Sequence, residues 1–248
     1  MTKHRVAIIG CGRREKPDGT LRWSLSSHHA TGYAGRADCE IVAVVDIDQE
    51  RARDFRDEFC SDPETAETYT DYKAMLAEVK PDIVSIITWP KLHAEMTIAA
   101  ARAGARAVHC EKPMALTYAD SRRMVEECEK AGTQLTIDHQ RRFGPPFIEA
   151  RRRLEAGEIG RLQRIEAGCS NLYDWGTHWF DMMFYYNDQT PVDWVLGQID
   201  LRGSKTVFGA PVEGQGLAYF HFRNGVYGLL ATGHENGMTA SNRLIGSD

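Results

Sequence analysis

The densest chemistry in this chain lies in Cys110-Glu111-Lys112-Pro113, which closes the apolar run Arg106-Ala107-Val108-His109. A short buried strand that stops in Glu-Lys-Pro delivers two ionisable side chains to the carboxyl edge of a sheet, where open α/β sheets bind their ligands. Proline removes a backbone donor and blocks further pairing, so the chain must turn there. A lysine held at such a turn sheds solvation and can handle a proton, although the tetrapeptide alone also fits an exposed lysine at a strand end. A second chemical stretch lies near the start. Arg5-Val6-Ala7-Ile8-Ile9-Gly10 is a β-branched run ending in glycine, and Gly10-Cys11-Gly12 forms the turn after it. Glycines there permit close approach of backbone to a pyrophosphate, whose charge sits at a helix N-terminus. The third glycine of the GxGxxG pattern is absent, since Arg13-Arg14-Glu15 comes next. The following run, Glu40-Ile41-Val42-Ala43-Val44-Val45, ends in Asp46, where a dinucleotide fold places the carboxylate that accepts from ribose hydroxyls. A carboxylate at that position repels a 2′-phosphate, and Ile47 rather than a basic residue follows it, so NAD is expected over NADP.

The composition is that of an ordinary globular protein: 248 residues, 42% hydrophobic and 26% charged. A net charge of −5 leaves no basic footprint for nucleic acid and no polybasic membrane patch. No apolar run reaches the roughly 18 residues a membrane helix needs. Met-Thr-Lys-His-Arg runs straight into a strand, so no signal peptide is expected. Six cysteines without a CxxC pair argue against a zinc site or a disulfide framework, and the cytoplasm is the expected compartment.

These residues need a scaffold, and the spacing supplies one. Asp46 lies well beyond the roughly 20 residues expected after the glycine turn. An insertion of roughly a dozen residues accounts for the gap. Lys16-Pro17-Asp18-Gly19 has the chemistry of its turn. The helix then starts late, near Ser24 to Ser27, which are good caps. Arg13, Arg14 and Lys16 fit either a solvated loop or phosphate neutralisation. Helical spacing follows over 49–59, 71–79, 91–103 and 117–132, and strands over 82–88 and 133–138. Strands alternating with helices over the first 138 residues demand an α/β fold with a doubly wound parallel sheet, the Rossmann arrangement.

Beyond residue 139 the pattern changes. A helix is expected over 146–156, a strand over 161–168, and a helix from near Asp174 to Tyr186. Strands are expected over 194–201, 216–223 and 226–232, the last two joined by the hairpin signal Asn224-Gly225. The chain ends in what reads as a strand entering a turn. This predicts a second, α+β domain over 139–248 with an open, mainly antiparallel sheet.

At this level the sequence resembles the oxidoreductases grouped with glucose-fructose oxidoreductase and inositol 2-dehydrogenase. The carriers are Gly10-Cys11-Gly12, His29-Ala30-x-x-Tyr33, Val45-Asp46-Ile47-Asp48, Thr88-Trp89-Pro90-x-x-His93, Glu111-Lys112-Pro113, His139-Gln140-Arg141-Arg142-Phe143 and Gly157-Glu158-Ile159-Gly160. Asp174-Trp175-Gly176-Thr177-His178-Trp179-Phe180-Asp181 looks like the family's DxGxHxxD. Ser26 falls where the third glycine would stand. The resemblance implies an NAD-binding domain held by Gly10, Cys11, Gly12, Asp46, Thr88, His93, Glu111 and Lys112. It implies catalysis by Lys112, Asp174 and His178, with His178 as acid/base and Lys112 touching the reacting hydroxyl.

That assignment is chemically sensible, because a histidine of ordinary pKa near 6.5 can take an alcohol proton while hydride leaves the carbon. Asp174 also fits a plain helix cap and His178 a core histidine. An ion held by Asp174, His178 and Asp181 finds no supporting His or Cys cluster, and no metal is expected. His139 and Arg142 follow the last strand of the first domain and are candidates for the substrate. Arg142 equally fits a solvated domain junction, and Trp175 and Trp179 are expected in the core.

The expected activity is NAD-dependent hydride transfer from a secondary hydroxyl of a sugar, cyclitol or derivative. The family also implies a homodimer or homotetramer through the C-terminal sheet. Two rivals share the fold: redox-neutral NAD-assisted glycoside cleavage, and a nucleotide-binding regulator without activity. The short Cys169-Ser170-Asn171-Leu172-Tyr173 stretch before Asp174 and the early end of the chain depart from the family pattern.

Overall fold

The computed structural model describes residues 3–12, 24–233 and 240–248. The turn expected at Lys16-Pro17-Asp18-Gly19 and the cations Arg13, Arg14 and Lys16 lie outside these residues. The chain forms two compact units, Met1–Asp138 and His139–Asp248.

The first unit alternates strand and helix in the order β1 His4–Ile9, α1 Leu25–Ala34, β2 Cys39–Val45, α2 Gln49–Phe59, β3 Glu67–Tyr69, α3 Tyr72–Val79, β4 Ile83–Ile86, α4 Pro90–Arg102, β5 Ala107–Cys110, α5 Tyr118–Ala131 and β6 Gln134–Ile137. The strands make one parallel sheet, β3-β2-β1-β4-β5-β6. The strand order reverses between β1 and β4, the position at which such sheets open a crevice for a ligand. Helices cover both faces. One core holds Val84, Ile86, Met96, Val108 and Met124, and the other Val6, Ile8, Ile41, Val44 and Phe55. Ser24, Asp48, Asp71 and Thr117 cap α1, α2, α3 and α5 with side-chain oxygens. Strand β3 has no counterpart in the sequence reading, because three residues of Glu-Thr-Tyr carry no apolar periodicity.

The second unit opens with a 3₁₀ turn, Gln140–Phe143, then α6 Pro145–Glu155, β7 Arg164–Cys169, α7 Gly176–Tyr186, β8 Val192–Asp200, β9 Lys205–Val207, β10 Ala210–Val212, β11 Gln215–Phe222, β12 Tyr227–Gly233 and β13 Ser241–Ile245. Its main sheet runs β13-β7-β12-β11-β8, with β7 and β12 parallel and the other neighbours antiparallel. Helix α7 is apolar on the side facing the sheet, where Phe180 meets Phe220 and Phe184 meets Phe222. The opposite sheet face leaves Trp194, Leu196, Leu217 and Tyr227 exposed. The Asn224-Gly225 turn joins β11 to β12, with Gly225 at φ +89°. The small hairpin of β9 and β10 was not legible in the sequence, since each strand has three residues and Pro211 interrupts the second.

Candidate functional site

The carboxyl edge of the parallel sheet brings the expected cofactor residues into one row. Backbone bonds continue past the strand ends: Gly10 N–H donates to Val45 O, Ile87 N–H to Ile9 O, Glu111 N–H to Ile86 O and Asp138 N–H to Cys110 O. Asp46, Gly10, Thr88, Glu111-Lys112 and Asp138 therefore stand at successive strand ends of one edge. Gly10 sits at φ +98°, and a Cβ there would come 2.2 Å from Ile87 O, so only glycine fits. Gly12, at φ +70°, is crossed closely by Ser24 and Ser26. The Ser26 hydroxyl donates to Cys11 O at 2.7 Å, so this small residue closes the turn against α1 where a third glycine was expected.

Asp46 is 8% exposed and fully engaged. Its Oδ2 accepts from Cys11 N–H at 3.0 Å, its Oδ1 accepts from Asp48 N–H at 3.0 Å, and Arg51 Nη2 lies 3.0 Å from Oδ1. A cradle of positive-φ glycines beside a carboxylate at the end of β2 fits a dinucleotide. Gly10, Cys11 and Gly12 would face its pyrophosphate and Asp46 its ribose. His93 is wholly buried on α4, with Nδ1 2.9 Å from Pro113 O and Nε2 3.1 Å from Thr88 O. Burial pushes its pKa down, and the two carbonyls offset part of that shift. His93 thus ties the Thr88 turn to the Lys112-Pro113 turn. It acts on the edge from within the protein.

A buried polar network lies under the Glu-Lys-Pro turn. His29 on α1 is 6% exposed, Glu111 3% and Ser85 0%. His29 Nδ1 is 2.8 Å from Ser85 Oγ, and its Nε2 lies 3.4 Å from Glu111 Oε1 and 3.4 Å from Asp138 Oδ2. Glu111 Oε2 accepts from the Lys112 backbone N–H at 3.0 Å. His109 on β5 stacks on His29 and reaches Asp138 at 3.7 Å and the Tyr33 hydroxyl at 3.3 Å. Burial pulls the His29 pKa down, but the Asp138 and Glu111 carboxylates outweigh it and hold it up at about 9. Asp138 is raised by burial and lowered further by the two histidines, and ends well below the usual carboxylate range. No sequence signal pointed to this network, whose members are far apart in the chain.

In the second unit, His139, Arg142, His178 and Asp181 come together. The Arg142 guanidinium grips the Asp181 carboxylate through Nε and Nη2, with Nε–Oδ2 at 3.0 Å. The His139 and His178 rings meet edge to face at 5.8 Å. His178 is 5% exposed and lies in the first turn of α7. Asp174 differs from expectation. The helix starts at Gly176 with Trp175 at its cap, and Asp174 sits in the turn ahead of it.

The reason is Asn171, whose side chain accepts from Asp174 N–H at 2.6 Å and whose backbone oxygen accepts from Gly176 N–H at 2.8 Å. Glu213 locks the same turn, accepting from Leu172 N–H at 2.6 Å and Thr232 Oγ1 at 2.8 Å. Sequence reasoning missed both supports, and only the shortness of the stretch before Asp174 hinted that something must hold it. Trp179 is core at 2% exposure, while Trp175 at 39% flanks the Arg141 guanidinium. Among the described residues, metal-type side chains converge at His29, His109 and Asp138 and not at Asp174, His178 and Asp181.

The strand order, the glycine turn at the switch point and the carboxylate at the end of β2 define a Rossmann-type oxidoreductase domain. Residues 4–139 match the GFO_IDH_MocA oxidoreductase family with its NAD-binding Rossmann fold, and the chain belongs to that family. It is 34% identical over 158 residues to D-glucoside 3-dehydrogenase of Escherichia coli K12, a match that takes in 64% of this chain and 41% of that enzyme. It is 29% identical over 241 residues to myo-inositol 2-dehydrogenase of Thermotoga maritima, covering 91% of this chain and 67% of the relative. In fold it is similar to the WlbA dehydrogenase of Bordetella pertussis, crystallised with NADH and UDP-GlcNAcA. That superposition has a TM-score of 0.79 at 21% identity and covers 99% of this chain and 76% of that one. The match thus spans under half the length of the E. coli relative. No helix among the described residues is long and apolar enough to cross a membrane.

Proposed function

We propose that this chain is an NAD-dependent dehydrogenase acting on a secondary hydroxyl of a sugar, cyclitol or derivative. The observation that carries this reading is the row of Asp46, Gly10, Thr88 and Glu111-Lys112 along one sheet edge, with a turn at Gly10 that tolerates no side chain. Gly10, Cys11 and Gly12 hold the pyrophosphate, and Asp46 accepts from the adenosine ribose. Thr88, His93 and Glu111 shape the floor toward the nicotinamide. The bound nicotinamide supplies the hydride acceptor. Lys112 orients and polarises the reacting oxygen, and His178 removes its proton as the alcohol becomes a ketone. Asp174, on the turn held by Asn171 and Glu213, is assigned to the same chemistry, and His139 and the Arg142–Asp181 pair to binding substrate hydroxyls.

The dehydrogenases among the relatives act on polyhydroxy compounds in their names, which supports the substrate class. The exposed face of the second sheet serves a second copy of the chain, in a homodimer or homotetramer. Six buried cysteines outside any disulfide fit a reducing cytoplasm.

The test is calorimetric titration with NAD and NADP, repeated with Asp46→Ala. A screen of sugar and cyclitol alcohols for NADH formation follows, with His178→Ala as control. NAD binding weakened by Asp46→Ala, with turnover abolished by His178→Ala, supports the reading. Failure to bind either nucleotide overturns it.

A further inference from the structure

We infer that His29, His109 and Asp138 form a binding site for a divalent transition ion of the zinc class, beneath the Glu111-Lys112 turn and separate from the residues assigned to the reaction. Imidazole and carboxylate are the donors such ions select, and the three donor atoms lie within 4.8 Å of one another.

The spacing within the group is the first argument. His29 Nε2 stands 3.4 Å from Asp138 Oδ2 and His109 Nε2 stands 3.7 Å from Asp138 Oδ1. Charge-assisted hydrogen bonds close to about 2.7–2.9 Å. Metal bonds of about 2.0–2.1 Å instead hold neighbouring donors roughly 3.3 Å apart. The His29–Asp138 distance is close to the second separation, and the His109–Asp138 distance exceeds both.

The outer partners are the second argument. Each imidazole has its Nδ1 held by a hydroxyl, His29 by Ser85 at 2.8 Å and His109 by Tyr33 at 3.3 Å. Metal-binding histidines are fixed in this way through the nitrogen that does not bind the ion. Both Nε2 atoms are thereby turned toward Asp138. Glu111 Oε1, 3.4 Å from His29 Nε2, adds a second carboxylate beside the group. His109, whose side chain is 29% exposed, completes the set from its solvent side, where a fourth position could be taken by water.

The ligands come from α1, the end of β5 and the residue after β6, so an ion here would tie one helix to two strand ends. Three scattered residues give no spacing pattern, which is why the sequence reading expected no metal.

The test uses the full chain, stripped with a chelator and titrated with zinc chloride by calorimetry, then loaded with cobalt(II). One equivalent of zinc bound with submicromolar affinity is expected, together with the visible absorption bands of four-coordinate cobalt. Asp138→Asn and His109→Ala should each weaken zinc binding by about 100-fold, and Ser85→Ala and Tyr33→Phe by about 10-fold. The last two leave the ligands in place, so they remain informative if a ligand variant fails to fold. Absence of stoichiometric zinc binding, or affinity unchanged by Asp138→Asn and Tyr33→Phe, overturns the site. Neither result bears on NAD binding at Asp46.

Discussion

Arg51 Nη2 lies 3.0 Å from Asp46 Oδ1, so the carboxylate at the end of β2 is held by a guanidinium as well as by the amides of Cys11 and Asp48. At the proposed cofactor site the pair would set the charge met by an adenosine ribose. Asp46→Ala should weaken NAD binding about 10- to 100-fold, as expected for hydrogen bonds to a charged group worth about 1.5–3 kcal/mol. Arg51→Ala should leave NAD binding within a few-fold and weaken NADP further, since it removes the cation that, among the described residues, lies against this carboxylate. Calorimetry with both nucleotides on both variants reads the two effects.

His178 is buried in the first turn of a helix, so His178→Ala also leaves a cavity, and thermal unfolding of the variant must accompany its rate. His178→Ala should lower kcat by about 100- to 10,000-fold, the usual contribution of a general base, with NAD affinity unchanged. Steady-state rates beside a calorimetric NAD titration make the check. A rate within tenfold of the parent would remove His178 from the reaction.

Glu213 is 6% exposed and accepts from Leu172 N–H and Thr232 Oγ1. Glu213→Ala leaves the Leu172 amide without its acceptor and Thr232 Oγ1 with only the 3.4 Å contact to Gly216 O, and should cost about 1–3 kcal/mol. In a chain of this size that corresponds to a fall in Tm of roughly 2–4 °C per kcal/mol. Glu213→Gln keeps an acceptor and should cost less. Thermal unfolding of the three proteins gives the order.

His93 predicts an acid limb of stability. Burial holds its folded pKa below the ordinary value of 6.5, so the imidazole stays neutral in the fold. Below pH 6.5 the unfolded chain takes up a proton that the folded chain refuses, and stability falls with pH until the folded pKa is passed. Above pH 6.5 the group contributes no slope. His93→Gln should therefore flatten the loss of stability below pH 6.5, measured by urea unfolding at a series of pH values. An unchanged slope would show that His93 is not the group responsible.

The first unit was legible because its information is local. The longer parallel strands are apolar runs, α1, α2, α3 and α5 open on capping side chains and α4 on Pro90, and Gly10 and Asp46 mark the strand ends themselves. The start of α7 was misplaced by two residues because Asn171, a side chain outside the helix, holds the turn that Asp174 occupies. Residues 29, 85, 109, 111 and 138 meet only because three neighbouring strands, β4, β5 and β6, and α1 converge, and periodicity says nothing about such meetings. Strands β3, β9 and β10 were lost for a plainer reason, since three residues are too few to show alternation.

Strand β7 lies between β12 and β13, parallel to one and antiparallel to the other. Its two neighbours are made roughly 60 to 80 residues later, some seconds at ribosomal rates of about 5–20 residues per second. The parallel sheet of the first unit can close meanwhile, because its strands are all upstream. Strand β7 must wait with both edges unpaired until β12 and β13 have been made. Slow synthesis of residues 227–245 would prolong that exposure, so the interval vulnerable to aggregation runs from the making of β7 to that of β13.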